Sequence, residues 1–442
     1  MQQTIDLAVS AKWIIPIIPK QKCYEDCTLL VADEKIHSIV PSDGVADKYI
    51  IDQHIQLHDH VLMPGLVNCH GHSAMTLLRG FADDHPLMTW LEKHIWPVES
   101  QWVSNEFVKD GAELAIAEML LAGTTCFSDM YFFPEATAKA AFDSGMRAQL
   151  VFPIMDFPCA WGSGPDNYIE KGLKLHDNYR AIDRISIGFG PHAPYTVSDA
   201  PLERIVTLSQ ELQAPVQIHA HETAFEVSQG IEQTGMRPLK RLADIGLISP
   251  LTQLVHMTQI NDDDIALLQK HNPHVIHCPH SNLKLASGFC PVDTLKKADV
   301  NVAIGTDGAA SNNGLSLFDE LRTAAMLSKA VANDASSLSA FEALEMATIN
   351  GANALGLSDQ IGSLEVGKCA DFIAIQTHHL QQAPTYNIAS QLVYTNMQSR
   401  VSHVWVNGKC LVNNHALQTL DIQRTMANVT QWQTTLSQGT QP

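Results

Sequence analysis

Apolar and polar positions follow two different rhythms along this chain. From about Val61 to Leu327, short and nearly continuous apolar runs take turns with amphipathic stretches. The runs are Val61–Val67, Thr124–Asp129, Arg147–Ile154, Ile185–Gly190, Val216–His219, Leu254–His256, Val275–His277 and Val300–Gly305, eight in all. Unbroken apolar character over that length suits strands covered on both faces, as in a parallel sheet. Between the runs lie helical patterns such as Asn105–Ala122, where Phe107, Val108, Leu114, Ile116, Met119 and Leu120 recur at helical spacing. Ser198 and Asn261 read as N-caps of two further helices, and Gly123 and Gly145 as helix stops. Eight alternating units predict an α/β fold, a (β/α)8 barrel over residues 61–361. The flanks, 1–60 and 362–442, carry short alternating strands such as Cys27–Ala32, Phe372–Ile375 and Val401–Val406. Each flank is too short for a stable sheet of its own, so the two termini are predicted to meet in one small β-sandwich domain. The Gln- and Thr-rich end from Thr419 to Pro442 reads as a helix or a loose tail.

Composition narrows the class. A chain of 442 residues with 45% hydrophobic content sustains a large barrel plus a satellite domain. A formal net charge of −19, with Lys and Arg scattered singly, makes nucleic acid and anionic lipid poor partners. No window approaches the roughly 18 apolar residues that span a bilayer. The start, MQQTIDLAVSAKWI, has no cationic or long apolar leader, so the expected location is cytoplasmic. Nine cysteines, an odd number spread over a long chain, argue against a disulfide framework. Cys23 and Cys27 lack the second close pair that a zinc ribbon needs.

Candidate chemistry gathers at the ends of the predicted strands. In PGLVNCHGH, Pro64 to His72, strand alternation sends His70 and His72 to the same side, which is half of a zinc site. Gly71 between them would let the backbone approach a bound group. A lone His-x-His is weak in a chain with 21 histidines. Strand five, however, ends in Gln217-Ile218-His219-Ala220-His221-Glu222, strand six in His256, and strand eight in Gly305-Thr306-Asp307-Gly308. Barrel active sites sit at the C-terminal strand ends, so these groups converge above one mouth. Three histidines and a carboxylate suit a borderline-soft divalent cation, with Zn²⁺ as the default and Fe²⁺, Mn²⁺ or Ni²⁺ able to use similar ligands.

The strings PGLVNCHGHSAMTLLRGFADDHPLMTWLEKHIWPVE, GPHAPYTV, IHAHET, LVHMTQIND, HCPHSNLKLASG and AIGTDGAASNNGLSLFDELR span residues 64 to about 322. GSLEVGKCADFIAI follows from Gly362. With these strings the chain resembles the amidohydrolase superfamily, and within it the 5-methylthioadenosine/S-adenosylhomocysteine deaminases and their chlorohydrolase relatives. The resemblance implies metal ligands His70, His72, His219 and Asp307, with Asp307 also accepting a proton from the attacking water. It further implies Glu222 as proton shuttle, His256 beside the reacting oxygen, and Glu99 and His192 as substrate contacts. Dinuclear barrel hydrolases use a lysine at the end of strand four. That strand reads ISIGFGPHAPY here, without lysine, so one metal ion per chain is expected.

The implied reaction is hydrolytic deamination of an adenine nucleoside by a metal-activated water. Glu99 would accept two hydrogen bonds from a ribose cis-diol. Trp90, with Leu87, Met88, Trp96 and Phe81, would wall the purine pocket, and Ser281 and Asn282 would hydrogen-bond near the mouth. His277 and His280 read as structural. Relatives that take S-adenosylhomocysteine use arginines after the third strand, whereas Ala148 to Glu170 here contains no Lys or Arg. An apolar methylthio tail is therefore expected to be preferred over a zwitterionic one. The competing readings are a triazine, pterin or guanine hydrolase on the same fold, and more distantly a barrel that binds metal without catalysis. Barrels of this kind are often dimers or larger.

Overall fold

A computed structural model describes residues 3–397 and 399–439. The described residues form two eight-stranded sheets. The first is parallel and takes its strands in sequence order: Leu66–Asn68, Thr124–Asp129, Arg147–Ile154, Ile185–Pro191, Val216–Ala220, Thr252–His256, His274–His277 and Asn301–Ile304. Strands one and eight meet where the Cys69 amide donates to the Ile304 carbonyl (3.0 Å) and the Asp307 amide to the His70 carbonyl (3.1 Å). That closes the predicted barrel. Gly305 permits the closure, because a Cβ there would lie 2.9 Å from the Cβ and backbone nitrogen of His70. Gly71, by contrast, would place a Cβ at an ordinary 3.5 Å from the nearest atom, so close approach does not require glycine there.

The predicted first strand, Val61–Val67, divides between the two sheets. Val61 to Pro64 ends a long strand, Tyr49–Pro64, of the second sheet, and the barrel begins at Leu66. Both halves are buried and apolar, so the pattern alone does not reveal the crossing at Pro64-Gly65. In the second sheet Tyr49–Pro64 pairs parallel with Gln3–Ile14 on one side and antiparallel with Phe372–Gln376 on the other. One strand thereby joins the two termini in a single ladder, the composite β-domain expected from the flanks. The sheet bends back on itself: Ile36 donates to the Lys368 carbonyl (2.9 Å) and Ala370 to the Glu34 carbonyl (2.9 Å). Its core holds Leu7, Val9, Leu29, Leu62 and the stacked rings of Phe372 and Trp405. At the barrel base, buried Arg147 pairs with buried Asp371 at 3.0 Å and ties the two sheets together.

Asn261 caps the helix Asp262–His271 through a reciprocal capping box with Asp264. Ser198 occupies the N-cap of Asp199–Leu212 without a side-chain bond. Gly145 ends Pro134–Ser144 with φ of 85°. The C-terminal stretch is a helix, Ile422–Gly439, and it lies against Asn105–Leu121. No helix among the described residues is long and apolar enough to cross a membrane.

Candidate active site

Strand alternation and barrel register together bring the predicted donors to one point. The Nε2 atoms of His70 and His72 stand 3.4 and 3.1 Å from the same oxygen of Asp307. His219 Nε2 lies 3.2 Å from His70 Nε2. Each ring presents its other nitrogen to an oxygen: Nδ1 of His70 to Gln217 Oε1 (2.7 Å), of His72 to the Met130 carbonyl (2.6 Å), and of His219 to the His192 carbonyl (2.7 Å). A carbonyl only accepts, so each Nδ1 carries a proton, and Nε2 is the nitrogen left to offer a lone pair to a metal ion. Asp307 is held by hydroxyls of Ser281 (2.6 Å) and Ser311 (3.1 Å) on one oxygen and by the Gly308 amide (2.8 Å) on the other. Its φ of 60° is a conformation that a surrounding lattice of bonds has to maintain. Three converging imidazole lone pairs and one anionic carboxylate fit a divalent cation of zinc type. His70, His72 and His219 bring ligand atoms within 4.8 Å of one another, as do His70, His256 and Asp307.

Around this cluster the predicted catalytic and substrate residues line one cavity: Trp90, Glu99, His192, Glu222, His256 and Asp307. His256, with φ of 78°, is locked by Nδ1 against Asn282 Oδ1 at 2.9 Å and points Nε2 toward Glu222, 3.8 Å away. Burial and the neighbouring charge of Asp307 push the Glu222 carboxyl up to about 8, so it holds its proton at neutral pH. Burial raises Glu99 to about 7, against the lowering effect of a 2.6 Å hydrogen bond from the Tyr131 hydroxyl. Burial also pushes His192 down to about 4, leaving a neutral ring.

Leu87 and Trp96 line the cavity as predicted, whereas Met88 and Phe81 are not among its lining residues. Phe81 packs instead in the apolar cluster around Trp90. Ser281 and Asn282 are fully buried and outside the cavity lining, where they bond Asp307 and His256. His280 pairs with Glu320 at 3.0 Å, and the backbone carbonyl of buried His277 accepts from the Gly305 amide at 3.0 Å. Sequence reasoning assigned no role to Gln217, Tyr131 or Ser311. Gln217 carried a usable signal, since it stands two residues before His219 and so faces the same side of its strand. Tyr131 and Ser311 follow the ends of their strands, Asp129 and Ile304, by two and seven residues, where alternation no longer says what faces inward.

The barrel, its composite partner sheet and this His/Asp centre define a metal-dependent hydrolase, and the chain belongs to the amidohydrolase family, whose model matches residues 61–411. It is 61% identical over 97% of its length, and 96% of the relative's, to a 5-methylthioadenosine/S-adenosylhomocysteine deaminase of Saccharophagus degradans. Among solved structures it superposes with a TM-score of 0.98 on a zinc-bound adenosine deaminase from Xanthomonas campestris, at 45% identity over 99% of this chain and 100% of that one. A zinc-complexed atrazine chlorohydrolase from Arthrobacter aurescens shares the fold, with a TM-score of 0.90 at 24% identity over 96% and 99% of the two chains.

Proposed function

We propose that this enzyme hydrolytically deaminates an adenine nucleoside, preferring 5′-methylthioadenosine to S-adenosylhomocysteine, with one zinc ion per chain held by His70, His72, His219 and Asp307. The observation that carries this reading is a single cavity where that donor set, a protonated Glu222 and the carboxylate of Glu99 all face inward. A divalent ion in such a site supplies Lewis-acid chemistry and lowers the pKa of a water to about 7. In this reading Asp307 accepts the proton that the attacking water sheds. Glu222 gives its proton to the ring nitrogen beside the carbon under attack; the emptied carboxylate then takes the proton of the new hydroxyl as it becomes a carbonyl and passes it to the amine, which leaves as ammonia, and the proton held by Asp307 restores Glu222. His256 offers Nε2 to the new oxygen as charge develops there. Water and the adenine amine are thereby exchanged for a ring carbonyl and ammonia. Glu99 accepts hydrogen bonds from the ribose diol, and Leu87, Trp90 and Trp96 cover the purine faces.

The substrate preference rests on the cavity wall. Among the described residues its lining holds Met75, Met155, Phe157 and Phe132 but no Lys or Arg. A buried zwitterionic tail without partners loses about 1–3 kcal/mol, or roughly 5- to 150-fold in kcat/KM. Ammonia release from methylthioadenosine, S-adenosylhomocysteine, guanine, a pterin and a triazine tests both levels. The expected order puts methylthioadenosine first. Turnover of the triazine or pterin without any nucleoside activity would refute the nucleoside reading. Equal turnover of S-adenosylhomocysteine would refute only the tail preference.

A further inference from the structure

The interior of a (β/α)8 barrel is ordinarily filled by layers of branched apolar side chains. Here three glutamines occupy it: Gln149 on strand three, Gln217 on strand five and Gln253 on strand six, at 1%, 0% and 0% exposure. Leucine or methionine would fill the same space with no polar atom to satisfy, so packing alone does not account for three amides. Their bonds form one directed chain. Gln149 donates Nε2–H to the Leu355 carbonyl (3.1 Å), which turns its Oε1 toward Gln253. Gln253 Nε2 donates to that Oε1 (2.8 Å) and to the Ala354 carbonyl (2.8 Å). Gln217 Nε2 donates to Gln253 Oε1 (2.6 Å) and to the Cys69 carbonyl (2.9 Å), with Ser128 Oγ also within reach at 3.2 Å. Gln217 Oε1 is left facing Nδ1 of His70 at 2.7 Å. Because each amide has a main-chain carbonyl, which only accepts, among its partners, none of the three can flip without breaking a bond. Coupled buried bonds of this kind reinforce one another.

We propose that Gln149, Gln253 and Gln217 are a positioning relay that fixes the tautomer and ring plane of His70 from the residue 354–355 backbone, a proposal resting on the reading of His70 as a metal ligand. The relay makes no contact with substrate; it acts through the ligand. Zinc affinity of the metal-free protein, measured by competition with a chromogenic chelator, and its thermal midpoint are the paired readouts. Gln217→Met should weaken zinc about 10–100-fold. Gln217→Glu should stay within about threefold of the parent, because a carboxylate oxygen accepts the same Nδ1–H, while its metal-free form melts earlier through the lost Cys69 and Gln253 bonds. Gln253→Met should fall between, about 3–10-fold weaker, since Cys69 still holds Gln217. A packing role reverses this order: apolar methionine is then harmless and the buried glutamate is the worse substitution. Parental zinc affinity in Gln217→Met, or equal losses in Gln217→Met and Gln217→Glu, would overturn the relay. Should Gln217→Met not fold, parental affinity in Gln253→Met overturns it equally. A parent protein that binds no zinc overturns the metal site itself, whereas unaltered affinity in the variants overturns the relay alone.

Discussion

Glu222 stands where a carboxyl is hard to ionise, buried and beside Asp307, and a group raised to about 8 is an acid at neutral pH. Replacing it by glutamine keeps the shape and removes the transferable proton, so Glu222→Gln should lower kcat about 10²–10⁴-fold with metal content unchanged. Near-parental turnover with metal bound would reassign the shuttle. Glu99 offers a pH test of the diol contact. Its folded pKa, about 7, lies above that of an exposed glutamate, so the fold favours the protonated form at low pH. The ionised form that accepts two hydroxyls grows as pH rises through that value. For a nucleoside, kcat/KM should therefore climb across that window. In Glu99→Gln the climb should flatten, and KM should rise about 10–100-fold, as loss of a charged hydrogen bond implies. Free adenine, having no diol, should show neither effect; an equal penalty on adenine would mean that Glu99 serves the base or the fold. Glu222 and the four proposed ligands were legible because strand alternation and strand ends dictate where such side chains point, whereas Glu99, on the helix Trp96–Trp102, was marked only by the family resemblance. The partners of the histidine Nδ1 atoms were not legible. Two are main-chain carbonyls, which every residue possesses, and the third, Gln217, is 147 positions from His70, so only barrel register brings it there.

Elements were read more securely than their junctions. Seven of the eight expected barrel strands fall on observed ones, within a few residues at their ends, because buried parallel strands have a plain apolar signature. The first did not, since Pro64-Gly65 was the only punctuation between two buried strands, and Gly65 is needed there: a Cβ would meet the Thr125 side chain at 2.0 Å. The C-terminal helix was ambiguous for another reason. Its polar composition hides an anchoring side, where Trp432 donates its indole N–H to Asp110 at 2.9 Å, Asn428 donates to the other Asp110 oxygen at 3.0 Å, and Arg424 reaches Glu113 at 3.1 Å. The Trp432 ring also meets Phe107 edge-on, in the cluster that contains Trp90 of the cavity wall. Trp432→Ala should destabilise the protein by about 2–4 kcal/mol in denaturant unfolding, less than full-core loss because the ring is only partly buried. Trp432→Phe, which keeps the ring contact, should cost about 1 kcal/mol. An unchanged midpoint in the alanine variant would show that the helix does not brace this face.

At the scale of the molecule, the two sheets divide the work by the direction of the barrel strands. Every proposed ligand lies at the C-terminal ends, while Arg147 opens strand three at the opposite end and joins Asp371, at the entry to the terminal-sheet strand Phe372–Gln376. The guanidinium also reaches Asn407 Oδ1 at 2.8 Å and the Asp183 carbonyl at 3.3 Å, so both ions are desolvated yet fully bonded. A pair of this kind contributes little net stability against an apolar replacement, but breaking it leaves one buried charge alone. Arg147→Met or Asp371→Leu singly should therefore cost about 3–5 kcal/mol, while the double variant should recover most of that loss. Chain geometry sharpens the expectation for function. Residues at the base of a barrel govern stability, and those at its C-terminal rim govern catalysis. Folded single variants should therefore retain kcat/KM and zinc content. A double-mutant cycle with both single losses additive would show that the two charges do not act as a pair. A fall in kcat/KM of the fully folded variants would show that the docking of the terminal sheet reaches the metal centre, and that the two ends of this barrel are not independent.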